Sequence, residues 1–178
     1  MKYCKQVIAV TLLSFAGSLL FAQKNAEEEA VKKVIEQETS SYFEANYPKW
    51  ANTWAHDSVC YVIRSGPGGY DADMGWSKIN EEYKSYMQIA QPMNQSQYAS
   101  YAKKYDYNFY ITGNAAIVTF KEAKGVLETR TLVKDNSAWK ITGMTIVDVP
   151  FYKAKDAFNN IKAFEGKWKL DLTGIKAD

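Results

Sequence analysis

The chain is poor in the residues that build several kinds of functional centre. Of its 178 residues only one is histidine and two are cysteine. One histidine, His56, cannot make an ordinary zinc site, which needs three or four ligands from His, Cys or carboxylate. Lacking any other histidine as base, Cys60 reads as a small buried hydrophobe on a strand rather than a nucleophile. Net charge is scarce too. The formal +2 comes from Lys2 and Lys5 alone, and the rest of the chain balances 20 basic against 20 acidic residues. Such a chain has no electrostatic footprint for nucleic acid. Gly66-Pro67-Gly68-Gly69 lacks the Lys-Ser/Thr of a phosphate loop. Asp71 and Asp73 lack the calcium-loop pattern and read as solvated loop carboxylates. No repeat and no low-complexity tract is present, and neither metal nor cofactor is expected.

Only one long apolar run exists, and it lies at the start. Lys2 and Lys5 precede the uncharged stretch Val7–Phe21, and Ala22 offers a small residue for cleavage. This reads as a secretory signal peptide over 1–22. The run is shorter than the roughly 20 residues a spanning helix needs, so a periplasmic or secreted protein, off the membrane after cleavage, is expected. Removal of Cys4 with the leader leaves Cys60 without an intramolecular disulfide partner.

What remains suits one domain over 23–150 with an extension over 151–178. Hydrophobic residues make up 47% of the chain and aromatic residues 15%, enough for a packed core with an aromatic interior. Val31, Val34, Ile35, Glu38, Tyr42 and Ala45 form one stripe of a helix over 26–47, with Asn25 as N-cap and Glu27, Glu28 and Glu29 in its first turn. Trp50 and Trp54 mark a short second helix. A strand over 58–64 leads into a glycine-rich loop reaching Gly75, and a third helix follows over 76–90. The back half is strand-rich: 98–112, 114–122, 126–134 and 139–149, with Gly143 as a bend or bulge. Short connections predict an antiparallel meander. A last amphipathic helix is expected over 152–164, and Trp168, Leu170 and Leu172 alternate as in a short edge strand. Helices segregated from a bent sheet give an α+β fold. The first helix should plug the concave side and leave a ligand pocket at the open end.

The stripe Val31–Tyr47, the segment Trp50-x-x-x-Trp54-Ala55-His56-Asp57, the helix start Gly75-Trp76-Ser77-Lys78-Ile79, and Thr129-Arg130-Thr131-Leu132-Val133-Lys134 before Trp139-Lys140-Ile141 resemble the NTF2-like superfamily. That group includes ketosteroid isomerases, scytalone dehydratase and SnoaL-type cyclases, and this chain looks like a secreted bacterial member. The resemblance spans about residues 26–149. It implies a cone in which a curved antiparallel sheet wraps the N-terminal helix, with three main helices plus a C-terminal one, and pairing into a homodimer, with the run 98–110 as a candidate surface. It says little about chemistry, because this fold hosts unrelated activities. The isomerase oxyanion-hole Tyr falls at Glu38, the general-base Asp at Val62 and the protonated Asp at Arg130. None of the three residues present reproduces that chemistry.

Glu38, Glu122 and Arg130 form the most informative charged set. Glu38 lies on an apolar stripe, where a charge is costly unless paired. Alternation puts Glu128, Arg130 and Leu132 on one strand face, and the resemblance turns that Arg into the cavity. Such a pair either supports the cone as an internal ion pair or grips a ligand carboxylate or polar head. The expected pocket residues are Glu38, Tyr42, Trp54, Tyr61, Arg130 and Asp148, around a small organic molecule held without turnover. A second reading is a SnoaL-like lyase, isomerase or cyclase using Asp148 or His56 as acid/base. A third is a non-catalytic interaction module whose tail, 151–178, fills the pocket mouth. Most aromatics are expected in the core.

Overall fold

A computed structural model describes residues 2–66, 69–100 and 102–148. Side chains are described from Gln23 onward, Lys124 excepted. The expected 152–164 helix and the 168–172 edge strand lie outside the described residues.

Four helices and six strands follow in order: α1 (Lys2–Phe43), α2 (Tyr47–Ala51), β1 (Tyr61–Gly66), β2 (Gly69–Met74), α3 (Trp76–Ile89), α4 (Gln95–Tyr98), β3 (Lys104–Thr112), β4 (Ala115–Glu122), β5 (Leu127–Asp135) and β6 (Ala138–Val147). The fold is α+β: a single curved, unclosed sheet in the order β2-β1-β6-β5-β4-β3, with α1 packed across it. Three expectations need correction. The sheet is mixed, because β1 pairs β6 in parallel while every other pair is antiparallel. The presumed loop before Gly75 is half of a hairpin, in which Arg64 lies opposite Asp71 and Val62 opposite Asp73. Asp73 is therefore buried, at 3% exposure, and not a solvated loop residue. Finally, α1 begins at Lys2, so Asn25 caps no helix and Glu27 sits mid-helix.

Glu27 has a different task. It accepts hydrogen bonds from Lys134 Nζ at 2.6 Å and Trp139 Nε1 at 2.8 Å. Eleven residues further on, Glu38 meets Arg130. Roughly 16 Å of helix is thus matched against the four residues, roughly 13 Å of strand, between Lys134 and Arg130. The helix runs antiparallel to β5 with Val31 and Ile35, both at 0% exposure, pressed into the sheet between the two ion pairs. Tyr47, Pro48 and Trp50 then turn the chain back: Pro48 opens α2 and the Asn46 side chain caps it through Lys49 N.

The concave face carries the core: Val62 on β1, Ala116, Val118 and Phe120 on β4, Leu132 on β5, and Trp139 and Ile141 on β6. On β6 the alternation changes phase. Thr131 pairs Gly143 while Leu132 pairs Ile141, so Thr142 is an extra residue. That bulge keeps Met144 and Ile146 on the same face as Trp139 and Ile141. Gly143 beside it has no room for a side chain, since a Cβ there would fall inside the Tyr61 ring and against Thr131 Oγ1.

Candidate functional site

The bulge and α1 together leave a cavity of about 260 Å³ between helix and sheet. Its floor is ionic. Arg130, on β5 and 3% exposed, has Nη2 at 3.3 Å from Glu38 Oε2 and Nη1 at 2.5 Å from Glu128 Oε2. Glu38 Oε1 also accepts from Trp50 Nε1 at 3.0 Å, and its Oε2 accepts from Thr39 Oγ1 at 3.4 Å. Glu122 on β4 pairs with Lys104 Nζ at 2.9 Å. Burial opposes the charge on Arg130, but Glu128 and Glu38 outweigh it and raise its pKa. Burial, and then the neighbouring Glu128, push the Glu122 carboxyl above the usual carboxylate range.

Hydrogen bonding on this floor is incomplete. The Glu128 contact lies out of line for a hydrogen bond, so Arg130 Nε and Nη1 and Glu128 Oε2 are buried without an aligned partner. Buried polar groups are nearly always satisfied, and three unsatisfied atoms on two residues lining one cavity mark the place where a further polar group fits. The walls are apolar and aromatic: Tyr42, Phe43 and Tyr83 on the helix side, Met144 and Ile146 on the sheet. Burial pushes the Tyr83 phenol up to about 12, so its hydroxyl keeps its proton.

Arg64 guards the mouth. Its guanidinium donates to Asp71, Asp73, Glu82 and the Tyr83 hydroxyl. A smaller hollow of about 210 Å³, walled by Glu82 and Tyr86, shares Tyr42, Arg64 and Tyr83 with the cavity. A larger groove of about 710 Å³ runs along the outer side of α1, past Lys33, Gln37, Lys49 and Tyr98. It contains none of the residues expected from the sequence.

Of those expected residues, the structure brings Glu38, Tyr42 and Arg130 to the cavity. Asp148 is exposed at the rim, beside Arg64 and Ile146, with its backbone N–H on Ser65 O at 2.8 Å. Trp54 does not line it: the ring is 2% exposed and packs against Trp50 and Trp76 in the core. Tyr61 does not either, because Val62 and Arg64 take the concave face and alternation sends Tyr61 to the convex one, beside Thr131. His56 is exposed, stacks on Trp76 at 4.1 Å and has Nε2 at 2.8 Å from Ala51 O, away from the cavity residues. Sequence reasoning missed Arg64, Phe43, Met144 and Ile146, and kept Tyr83 among the aromatics expected in the core. Arg64 was within reach, being two residues from Val62 on the same strand. Met144 and Ile146 were not, because the bulge reverses the alternation that would have placed them. Among the described residues no group of three or more His, Cys, Asp or Glu could hold a metal ion.

An unclosed curved sheet plugged by one long helix, with a cavity between them, defines an α+β cone. This chain has the NTF2-like form of that cone. A candidate dehydratase of the NTF2-like family from Streptomyces avermitilis is similar to it with a TM-score of 0.57 and 15% identity, over 71% of this chain and 98% of that one. An NTF2-like protein of unknown function from Pseudomonas putida KT2440 is similar with a TM-score of 0.54 and 12% identity, over 74% and 92%. A candidate calcium/calmodulin-dependent protein kinase type II association domain from Thiobacillus denitrificans gives 0.53 and 10%, over 66% and 94%. No family model and no curated protein matches the chain. At these identities the likeness is one of fold.

Proposed function

We propose that the cone cavity binds a small organic molecule without turning it over. The observation that carries this reading is the floor: a buried arginine and glutamate with unsatisfied hydrogen-bonding atoms, under walls of Tyr42, Phe43, Met144 and Ile146. Few, well-placed polar groups in an otherwise apolar hollow are what small-molecule sites look like. At about 30 Å³ per water, 260 Å³ corresponds to roughly nine waters, so the ligand is small. The isomerase-type acid and base are replaced by Glu38, Val62 and Arg130, which favours binding over that chemistry. The lyase, isomerase or cyclase reading, with Asp148 or His56 as acid/base, has less support, since His56 points to Trp76 and Asp148 sits at the rim.

The leader sequence supports export to the periplasm or beyond. A second copy of the chain is a fitting partner for the convex sheet face, where Tyr110, Ile117, Leu127 and Val133 are 36–66% exposed. Native mass spectrometry of the purified protein tests all three proposals at once. The expected spectrum shows a mature chain beginning at Gln23, a dimer, and an added organic mass that Ile146→Trp expels by filling the cavity. An empty wild-type cavity, after expression in a host that exports the protein, overturns the binding proposal.

A further inference from the structure

Around the cavity the acceptors are engaged and two donors are not. Glu38 Oε1 accepts from Trp50 Nε1, and Glu38 Oε2 accepts from Arg130 and Thr39. Glu122 pairs with Lys104, and Glu128 Oε2 lies 2.5 Å from Arg130 Nη1, which neutralises it. Arg130 itself keeps Nε without a hydrogen-bond partner and Nη1 without an aligned one. The second open donor stands on α3. The Tyr83 hydroxyl accepts from Arg64 Nη2 at 3.3 Å and, among the described residues, donates to no acceptor. The Tyr83 ring is covered by Trp50 at 4.5 Å and by the Arg64 guanidinium at 5.7 Å, so the hydroxyl is what this residue has left to offer. Arg130 and Tyr83 line the same cavity and are both buried. They are close enough for the Arg130 charge to act on the Tyr83 phenol. A buried donor left unmet is costly, and here two such donors, one from the sheet and one from a helix, border one hollow.

We propose that the cavity takes a neutral carbonyl compound, a small ketone, ester or amide, whose oxygen accepts from the open donors of Arg130 and Tyr83 and whose apolar body lies along Phe43, Met144 and Ile146. This rests on the reading of the cavity as a small-molecule site, and it replaces the ligand carboxylate anticipated from the buried arginine. Both guanidiniums that line the cavity are already matched, Arg130 by Glu38 and Glu128, Arg64 by Asp71, Asp73 and Glu82. An incoming carboxylate would meet Glu38 and Glu128 at close range with no spare cation. An ammonium would face two guanidiniums and bring further donors to a place where donors already lack partners. A carbonyl oxygen has two lone pairs to accept with and no net charge to desolvate. Burial pushes the Tyr83 phenol up to about 12, so its proton is available to donate at neutral pH.

The test is calorimetric titration of the purified chain at pH 7 with three probes of similar shape: acetophenone, benzoate and 1-phenylethylamine. Acetophenone is expected to bind at least tenfold tighter than either charged probe. Infrared spectra of the bound ketone, labelled at its carbonyl carbon, should show the stretch lowered below its position in water, as two fixed donors require. Tyr83→Phe removes one donor and keeps the ring, so it should weaken acetophenone at least threefold and shift the stretch back up. Should that variant fold poorly, the probe ranking and the stretch on the wild-type chain decide alone. Equal or tighter binding of benzoate or the amine, or a bound ketone whose stretch matches that in a hydrocarbon solvent, overturns the carbonyl assignment while leaving a small-molecule site standing. If no probe binds, the compound retained in native mass spectrometry decides: a neutral carbonyl compound supports the assignment and any other overturns it. No probe bound and no mass retained overturns both proposals.

Discussion

Arg64 and Arg130 occupy the same concave face, two strands apart across β6, and live in opposite circumstances. Arg130 lies opposite Met144 and Arg64 opposite Ile146. The Arg64 side chain is 28% exposed and donates four aligned hydrogen bonds, to Asp71, Asp73, Glu82 and the Tyr83 hydroxyl. The Arg130 side chain is 3% exposed and makes one aligned bond to a side chain, to Glu38. Stability alone would argue the other way, since desolvation costs most where water is excluded and a buried guanidinium gains most from full pairing. The inversion separates two roles. The mouth cluster pins the β1–β2 hairpin to α3 and is structurally complete. The floor cluster holds its charge by proximity to Glu38 and Glu128 while leaving hydrogen-bonding atoms open.

Removing the floor cation should have the largest effect. Arg130→Met keeps most of the side-chain bulk but strands Glu38 and Glu128 in the core. Breaking a buried pair from one side costs about 3–5 kcal/mol, which urea unfolding would read as a large drop in midpoint. Combining it with Glu128→Gln and Glu38→Gln should recover much of the loss, because the uncompensated charges go with it. A fall of less than about 1 kcal/mol for Arg130→Met would mean that water reaches the floor and that the contrast with Arg64 is false.

The mouth should respond more mildly. Arg64→Met releases Asp71 and Glu82 to solvent, and only Asp73, whose side chain is 4% exposed, is left short of a partner. Losing a bond to one such group while the rest rehydrate amounts to roughly 1–2 kcal/mol, again from urea midpoints. The α3–β2 contact should loosen first, as faster amide exchange over β2 than over β5. Uniform exchange changes across the sheet would show that the two clusters are one network.

Much of this contrast was legible in the residues, and the failures share a cause. A charge on an apolar helical stripe points to a partner, which is why Glu38 and Arg130 could be paired from sequence. The alternation of Glu128, Arg130 and Leu132 set the face. Arg64 was lost because Gly66-Pro67-Gly68-Gly69 reads as an open break, whereas Gly66 and Gly69 close a hairpin whose second strand carries Asp71 and Asp73. Tyr61 lies outside the cavity because Val62, its neighbour on β1, already claims the concave face. Met144 and Ile146 depend on the extra residue at Thr142, and a single inserted residue leaves only the glycine beside it as a trace. The parallel β1–β6 pair is a long-range contact, for which local patterning carries no signal.

The smallest expected effect is the most discriminating, because it titrates the floor without removing a cation. Burial beside Glu128 raises the pKa of Glu122, so the folded chain holds a proton there that the unfolded chain has released. A carboxyl shifted upward favours the folded state at low pH. That contribution fades as pH climbs from the unfolded value of about 4.3 through the raised folded value. Glu122→Gln cannot ionise, so its stability should lack this downward slope, and wild type and variant should diverge in favour of the variant across that window. The loss of the Lys104 contact works against the variant by a constant amount above it. Thermal midpoints of both proteins from pH 4 to pH 8 would show whether the curves approach each other or separate as pH rises. Curves that stay parallel would mean that Lys104 holds Glu122 ionised in the folded chain and that burial beside Glu128 does not raise its pKa.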